Sequence, residues 1–167
     1  MQAARLLSMT RFLEAFDRQF LEIDRRSRAL LDLTANGDLF RRPREIPQTF
    51  AMFSVGEYIL RSAGTVEQTF GGITTRLWDD PFEWTLPEKL NNVDSVLGYL
   101  DEVEETRAKG FGFFTSDDDL SKQMPAPETL KSIFELLLET VGRAEHFQGR
   151  AFAVFQMLSD KKLPRRL

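Results

Sequence analysis

The chain has 167 residues, 42% of them apolar and 29% charged, which is typical of one compact globular domain and argues against long disordered stretches. Because it contains no cysteine, disulfides, thiolate nucleophiles and sulfur-based metal sites are excluded. The length predicts a single domain over residues 1–167. The net charge of −4 disfavours general attraction to phosphate backbones, so we do not expect this domain to bind nucleic acid.

The first 20 residues show neither a signal peptide nor a membrane span, because charged residues such as Arg5, Arg11 and Glu14 interrupt every apolar run. A cytoplasmic location without a membrane partner is therefore the expectation. Two short basic clusters follow, at residues 25–28 and 41–44, and acidic residues interleave with the first. We interpret both as solvated surface in preference to nucleic-acid patches.

The first helix is predicted from apolar residues that recur with the 3.6-residue period: Met9, Phe12, Leu13, Phe16, Phe20, Ile23, Leu30 and Leu31. It should end near Asn36 and Gly37, where a left-handed cap costs little. The next segment contains Pro43 and Pro47 and is predicted to be irregular, since the residue before a proline avoids helical geometry.

The second helix should begin at Ser54, because Glu57 three residues later completes a capping box. Its apolar face comprises Val55, Ile59, Ser62, Ala63, Val66, Phe70 and Ile73, and Gly71 and Gly72 are expected to weaken its end. The connection over residues 77–87 is rich in aromatic residues and proline (Trp78, Pro81, Phe82, Trp84, Pro87). It could be a lid over a pocket or a loop anchored by its own apolar side chains, and the second interpretation is favoured.

The third helix is predicted to start at Asn91 or Asn92 and to end at Gly110, with an apolar face from Val93 to Val103. The acidic run Asp117 to Asp119 could bind a hard cation, but it lacks the ligand spacing and glycine of a calcium loop. A short helix started by Ser116 is favoured.

The fourth helix is the longest and should begin after Pro127, with Leu130 as its first apolar position. Five polar residues interrupt its apolar pattern and indicate a solvated cleft or a site: Arg143, Glu145, His146, Gln148 and Arg150. No segment alternates like a strand. The sequence thus predicts an all-α fold, a four-helix bundle with long connections, in which a site is built from facing helices.

Catalytic motifs are missing from the sequence. His146 is the only histidine, and no nucleophile elbow or glycine-rich phosphate loop accompanies it. A lone histidine on a long helix is more often structural than catalytic. Catalytic residues are therefore not assigned.

Three segments carry a resemblance to a known family. RAEHFQGR at residues 143–150 is similar to the HxxHHRGQ element on the last helix of DinB-like proteins, a family of metal-binding four-helix bundles unrelated to DNA polymerases. The surrounding segment, residues 127–164, has the length and order of that helix and its proline-containing tail, and SVGEYILRSAGTVEQTF at residues 54–70 resembles the family's second helix. The similarity spans about residues 5–164.

The resemblance implies a metal site whose ligands are replaced here. Complete members hold a divalent metal with three histidines, one on helix two and two on helix four at i and i+4, which share one helix face. The corresponding residues are Arg61, Arg143 and Phe147, none of which can ligate Zn²⁺ or Ni²⁺. His146 matches a neighbouring histidine that is not a ligand, Glu67 matches the helix-two glutamate, Gly149 agrees with the family, and Arg150 departs from its glutamine.

These replacements lead to the prediction of a metal-free protein that uses the relic metal pocket, Arg61, Glu67, Arg143, His146 and Phe147, to bind a small anionic ligand or a protein partner. Arginine suits this task because its guanidinium matches carboxylate and phosphate. The simpler interpretation is that each arginine pairs with Glu67, Glu145 or another acid. The alternative function is a metal- and thiol-dependent transferase or isomerase, as in complete members, and a homodimer through a helix face is also a hypothesis.

Overall fold

The computed structural model describes residues 10–44, 52–80 and 88–163, and these residues are mainly helical. The helices are α1 (Arg11–Leu33), α2 (Asn36–Leu39), α3 (Val55–Thr75), α4 (Val93–Phe111) and α5 (Ile133–Leu158). A 3₁₀ turn (Asp117–Ser121) and two short antiparallel strands, β1 (Gln123–Pro125) and β2 (Leu130–Ser132), lie between α4 and α5. The fold is thus mainly α, in agreement with the predicted class.

The four long helices pack mainly in four pairs: α3 with α4, α3 with α5, α1 with α4, and α1 with α5. The Phe20 and Phe70 rings, 5.2 Å apart, add a contact between α1 and α3. The apolar faces of the helices meet in one core, in which the largest side chains with almost no exposed surface include Phe20, Leu30, Tyr58, Phe70 and Leu137. Most of the periodic apolar positions supply this core because they fall on one side of each helix. Phe12, which was predicted on the apolar face of the first helix, is instead 62% exposed.

Local capping starts α3 and α4 where the sequence predicts it. Ser54 and Glu57 form the expected capping box of α3, and Asn92 caps α4 through the backbone of Ser95. The helix α4 continues one residue past the expected end at Gly110. These caps use atoms within three residues of each other, so the sequence contains the whole interaction.

The acidic run after α4 is structural. The Asp117 carboxylate accepts hydrogen bonds from the backbone N–H groups of Phe12 (3.0 Å) and Leu13 (2.9 Å), and so caps the first turn of α1. Asp119 accepts from the backbone of Thr115 (2.6 Å) and Ser116 (3.2 Å). These bonds explain the short 3₁₀ turn that begins after Ser116, as predicted.

Three details of the fold differ from the sequence prediction. Residues 123–125 pair with 130–132 although no strand was expected, and the last helix begins at Ile133, so Leu130 belongs to β2. Ser132 and Glu135 form the capping box that sets this start. No described glycine has a positive φ, and α1 ends at Leu33 with extended geometry at Thr34, so the left-handed cap predicted near Gly37 is wrong.

Candidate functional site

A cavity of about 330 Å³ lies between α3, α5 and the β1–β2 hairpin. We call it the Trp78 cavity. Its lining combines one aromatic ring, two threonines and four charged side chains with an amide and apolar groups: Gln68, Thr69, Trp78, Ala126, Pro127, Glu128, Lys131, Leu136, Glu139, Thr140 and Arg143. The volume falls within the range of small-molecule sites, which begins at roughly 300 Å³.

Trp78 forms a wall of this cavity and is held from two sides. Its indole Nε1 donates a hydrogen bond to the carbonyl oxygen of Pro125 in β1, at 3.1 Å. Its ring packs on α3 at Gly72, where an added Cβ would lie 2.5 Å from the ring. Trp78 therefore anchors the start of the connection after α3, whereas Pro81, Phe82, Trp84 and Pro87 lie outside the described residues.

The floor of the cavity contains two buried hydroxyl groups. Thr140 Oγ1 donates to the carbonyl oxygen of Leu136 (2.6 Å), so Thr69 must be the donor in the 2.7 Å bond between the two threonine hydroxyls. Both hydroxyl protons are consequently used within the protein. Donation to a ligand is left to the Gln68 amide and to the cationic side chains.

Two of the four charged side chains of the cavity form an ion pair, and the other two do not. Lys131 Nζ and a Glu139 carboxylate oxygen form an ion pair at 2.5 Å. Arg143 and Glu128 are exposed, and neither makes a hydrogen bond or ion pair with any residue that the structure describes. The cavity therefore offers one guanidinium and one carboxylate without a protein partner among the described residues.

The residues of the predicted relic pocket have different surroundings. Arg143 lines the Trp78 cavity, but none of the other four does. The Arg61 guanidinium lies 4.1 Å from the centroid of the Phe53 ring. The exposed His146 ring meets the Phe147 ring edge-on at 5.7 Å.

Glu67, the fifth predicted residue, contacts α4. It accepts a hydrogen bond from the Tyr99 hydroxyl. Burial raises the pKa of Glu67, and the nearby Glu102 charge adds to the increase, while the bond from Tyr99 acts in the opposite direction. Burial, together with the Glu67 charge, also raises the pKa of Tyr99, so the phenol keeps its proton.

No family model, no curated protein and no solved structure matches this chain.

The residues present do not fit the metal ion that the DinB-like resemblance implies. Arg61, Arg143 and Phe147 offer two guanidinium groups and a phenyl ring, which are not ligands for Zn²⁺ or Ni²⁺. Within residues 10–44, 52–80 and 88–163, no group of three or more His, Asp or Glu side chains is placed to hold a metal. Among the same residues, no helix has both the length and the apolar character needed to cross a membrane.

Two of the polar residues that interrupt the apolar pattern of the last helix, Gln148 and Glu145, bond to α1. Gln148 is fully buried and donates from Nε2 to the Ile23 carbonyl oxygen (2.5 Å) and to Ser27 Oγ (2.7 Å). Glu145 pairs with Arg26 and also accepts from Gln19 (2.9 Å). These residues link α5 to α1, whereas Arg143 alone of the five interrupting residues lines the Trp78 cavity.

Sequence reasoning missed most of the cavity. Thr140 and Arg143 lie three residues apart on α5, and Gln68 and Thr69 lie on α3, so the two helix faces could have been read from the helical period. The hairpin residues Glu128 and Lys131 carried no such signal, because their position depends on the pairing of β1 with β2.

Proposed function

We propose that this protein binds a small anionic ligand in the Trp78 cavity and that Arg143 holds the anionic group. The observation that carries the proposal is a guanidinium on the wall of a cavity of about 330 Å³ with no partner among the described residues. A guanidinium donates two parallel hydrogen bonds to carboxylate or phosphate, which makes it a strong and geometrically specific anion ligand.

In the simpler interpretation, Arg143 pairs with a neighbouring acid, but the two acids proposed for this pairing, Glu67 and Glu145, bond to other residues. Glu145 is engaged by Arg26 and Gln19, and Glu67 accepts from Tyr99. Glu139, which also lines the cavity, is paired with Lys131. Arg143 therefore remains available to a ligand, and the neighbouring Gln68 amide can add a further donor.

We further propose that the four long helices form a four-helix bundle of the DinB-like type. The pairwise contacts of α1, α3, α4 and α5 support a bundle, and the similar segments at residues 54–70 and 127–164 support the type. A relic pocket that also includes Arg61, Glu67, His146 and Phe147, a cytoplasmic location and a homodimer stay predictions. Sedimentation at micromolar concentration tests the homodimer, and a purely monomeric protein would contradict it.

Binding is tested by thermal unfolding of the purified protein in the presence of small carboxylates and phosphate esters. A ligand that binds only the folded state raises the midpoint temperature of unfolding. At a ligand concentration one hundred times the dissociation constant, the free energy of unfolding increases by about 2.7 kcal/mol. We expect at least one anion to raise the midpoint of the natural protein. Unchanged midpoints across the whole panel would refute the proposal.

Two variants locate the bound anion. Arg143→Gln should lose most of the shift, whereas Arg18→Gln, which removes the same charge from an exposed position of α1 outside the cavity, should keep it. Equal shifts in the two variants would place the anion elsewhere. A third variant, Arg61→Gln, tests the predicted share of Arg61, because a loss there would extend the site towards Phe53.

A further inference from the structure

The Trp78 cavity is lined by two acidic and two basic side chains, of which only one acidic and one basic side chain form an ion pair. Lys131 and Glu139 neutralise each other as an ion pair at 2.5 Å. The remaining two charges, on Glu128 and Arg143, are opposite in sign, and yet they do not pair with each other or with another described residue. The cavity lining thus contains one anionic and one cationic side chain, neither of which is paired with a described residue.

A ligand that is only an anion satisfies half of this arrangement. Its negative group binds Arg143, but it leaves the exposed Glu128 carboxylate compensated by water alone and adds a like charge to the same cavity. A ligand that carries both charges removes this conflict, because its cationic end neutralises Glu128 while its carboxylate binds Arg143. Each contact is a charge-assisted hydrogen bond, which is stronger than a neutral one.

The wall of the cavity also suits a cationic group. The Trp78 ring is fixed by its bond to Pro125 and by its packing on Gly72, so it presents a preorganised aromatic surface. An ammonium group near such a ring gains cation–π attraction of about 0.5–2 kcal/mol, and an apolar side chain gains burial against it. The Gln68 amide can donate to the carboxylate beside Arg143.

We infer that the ligand of the Trp78 cavity is a zwitterion with a free ammonium and a free carboxylate, the chemical class of the α-amino acids. The inference rests on the proposed function, since it assumes that Arg143 binds the anionic group. It adds a cation-binding role for Glu128 in the hairpin turn, a residue to which the sequence assigned no function.

Calorimetric titration with each standard amino acid, followed by two derivatives of the tightest binder, tests the inference. The N-acetyl derivative keeps the carboxylate but has no ammonium group, and the decarboxylated amine keeps the ammonium alone. We expect both derivatives to bind at least ten-fold more weakly than the amino acid. If the N-acetyl derivative or a simple carboxylate binds as tightly, the zwitterion inference fails while the proposed anion site stands; if no amino acid, carboxylate or phosphate ester binds, both fail.

Matched variants separate the two ends of the ligand. Glu128→Gln should weaken the amino acid about ten-fold and leave its N-acetyl derivative unchanged, whereas Arg143→Gln should weaken both. Glu105→Gln, on the exposed surface of α4, controls for the change in net charge. Equal affinity of Glu128→Gln and Glu105→Gln for the amino acid would overturn the assignment of Glu128.

Discussion

The hydrogen bond between Tyr99 and Glu67 joins a phenol to a partly buried carboxyl group between α4 and α3. Burial disfavours the charged form of Glu67 and raises its pKa above the ordinary value of 4.5, and Glu102 acts in the same direction. A carboxyl group whose pKa is higher in the folded than in the unfolded state stabilises the fold at low pH. This contribution is lost as the pH rises through the folded-state pKa.

Glu67→Gln should therefore change how stability depends on pH. The amide remains neutral and can still accept the Tyr99 hydrogen bond, so the variant does not incur the cost of a buried charge at neutral pH. We expect its free energy of unfolding, relative to that of the natural protein, to increase between pH 4.5 and pH 7.5. Urea unfolding at the two pH values measures this difference, with Glu105→Gln as the exposed control; a constant difference would contradict the raised pKa of Glu67.

The sequence identifies which residues are charged but not which partners they meet. Arg61 and Arg143 are the same residue type on the two helices expected to face each other, yet one lies over Phe53 and the other lines the Trp78 cavity. Glu67 follows Arg61 by six residues, about 240° around the helix, and so points to a different neighbour. Helical spacing gives these directions, whereas the identity of the neighbour is set by tertiary packing.

Among the elements, the end of α3 depends on the close approach of Trp78 to Gly72. The ring occupies the position that a side chain at residue 72 would fill, with three ring atoms 2.5–2.6 Å from an added Cβ. Glycine is needed here for space, and the helix continues past it to Thr75. The two glycines therefore do not end the helix, and Gly72 makes room for the cavity wall.

Gly72→Ala should consequently destabilise the protein and move Trp78. Overpacking of this kind costs about 1–3 kcal/mol, and loss of the indole bond to Pro125 adds to it. Gly71→Ala is the matched control, because its nearest neighbour is 4.0 Å away and alanine favours a helix by roughly 0.5–1 kcal/mol. Urea unfolding and the emission of Trp78 in a Trp84→Phe background measure the two effects; equal stability of the two variants would contradict the contact.

Helix starts were predictable where the cap is local. Ser54 with Glu57, and Asn92 with Ser95, lie within three residues of each other. The cap of α1 could not be predicted in this way, because Asp117 reaches it from 105 residues away along the chain. The start of α5 was missed for a different reason: its capping box, Ser132 with Glu135, is equally local, but Leu130 also fits the helical period, and only its pairing with Pro125 places it in β2.

Over the whole molecule, each of the four main pairs of long helices contains a polar link in addition to the apolar core. The links are Arg107 to Asp17 for α4 and α1, Tyr99 to Glu67 for α4 and α3, Ser62 to the Ala144 carbonyl for α3 and α5, and Arg26 to Glu145 for α1 and α5. Composition and periodicity predict one mainly α domain, but apolar faces alone leave the rotation of each helix loosely determined. Directional bonds restrict that rotation, and none of these four pairings can be read from the sequence.

The link between α4 and α1 should be sensitive to the removal of the Arg107 guanidinium. Arg107 is 6% exposed, and its guanidinium pairs with Glu104 on its own helix and with Asp17 on α1. Arg107→Ala leaves both carboxylates without a cation and opens a space in the core. Breaking a buried pair costs about 3–5 kcal/mol, and we expect about 2–3 kcal/mol because the carboxylates keep part of their surface in water.

Arg25→Ala provides the comparison that isolates burial. Arg25 also pairs with a carboxylate three residues away, Glu22, but its side chain is 42% exposed, and an exposed pair contributes little because water screens both charges. Urea unfolding should therefore give a loss of stability for Arg107→Ala that exceeds the loss for Arg25→Ala by at least 1 kcal/mol. If the two losses were equal, the contact between α1 and α4 would depend on apolar packing alone, and the directional link would not contribute to the arrangement of these helices.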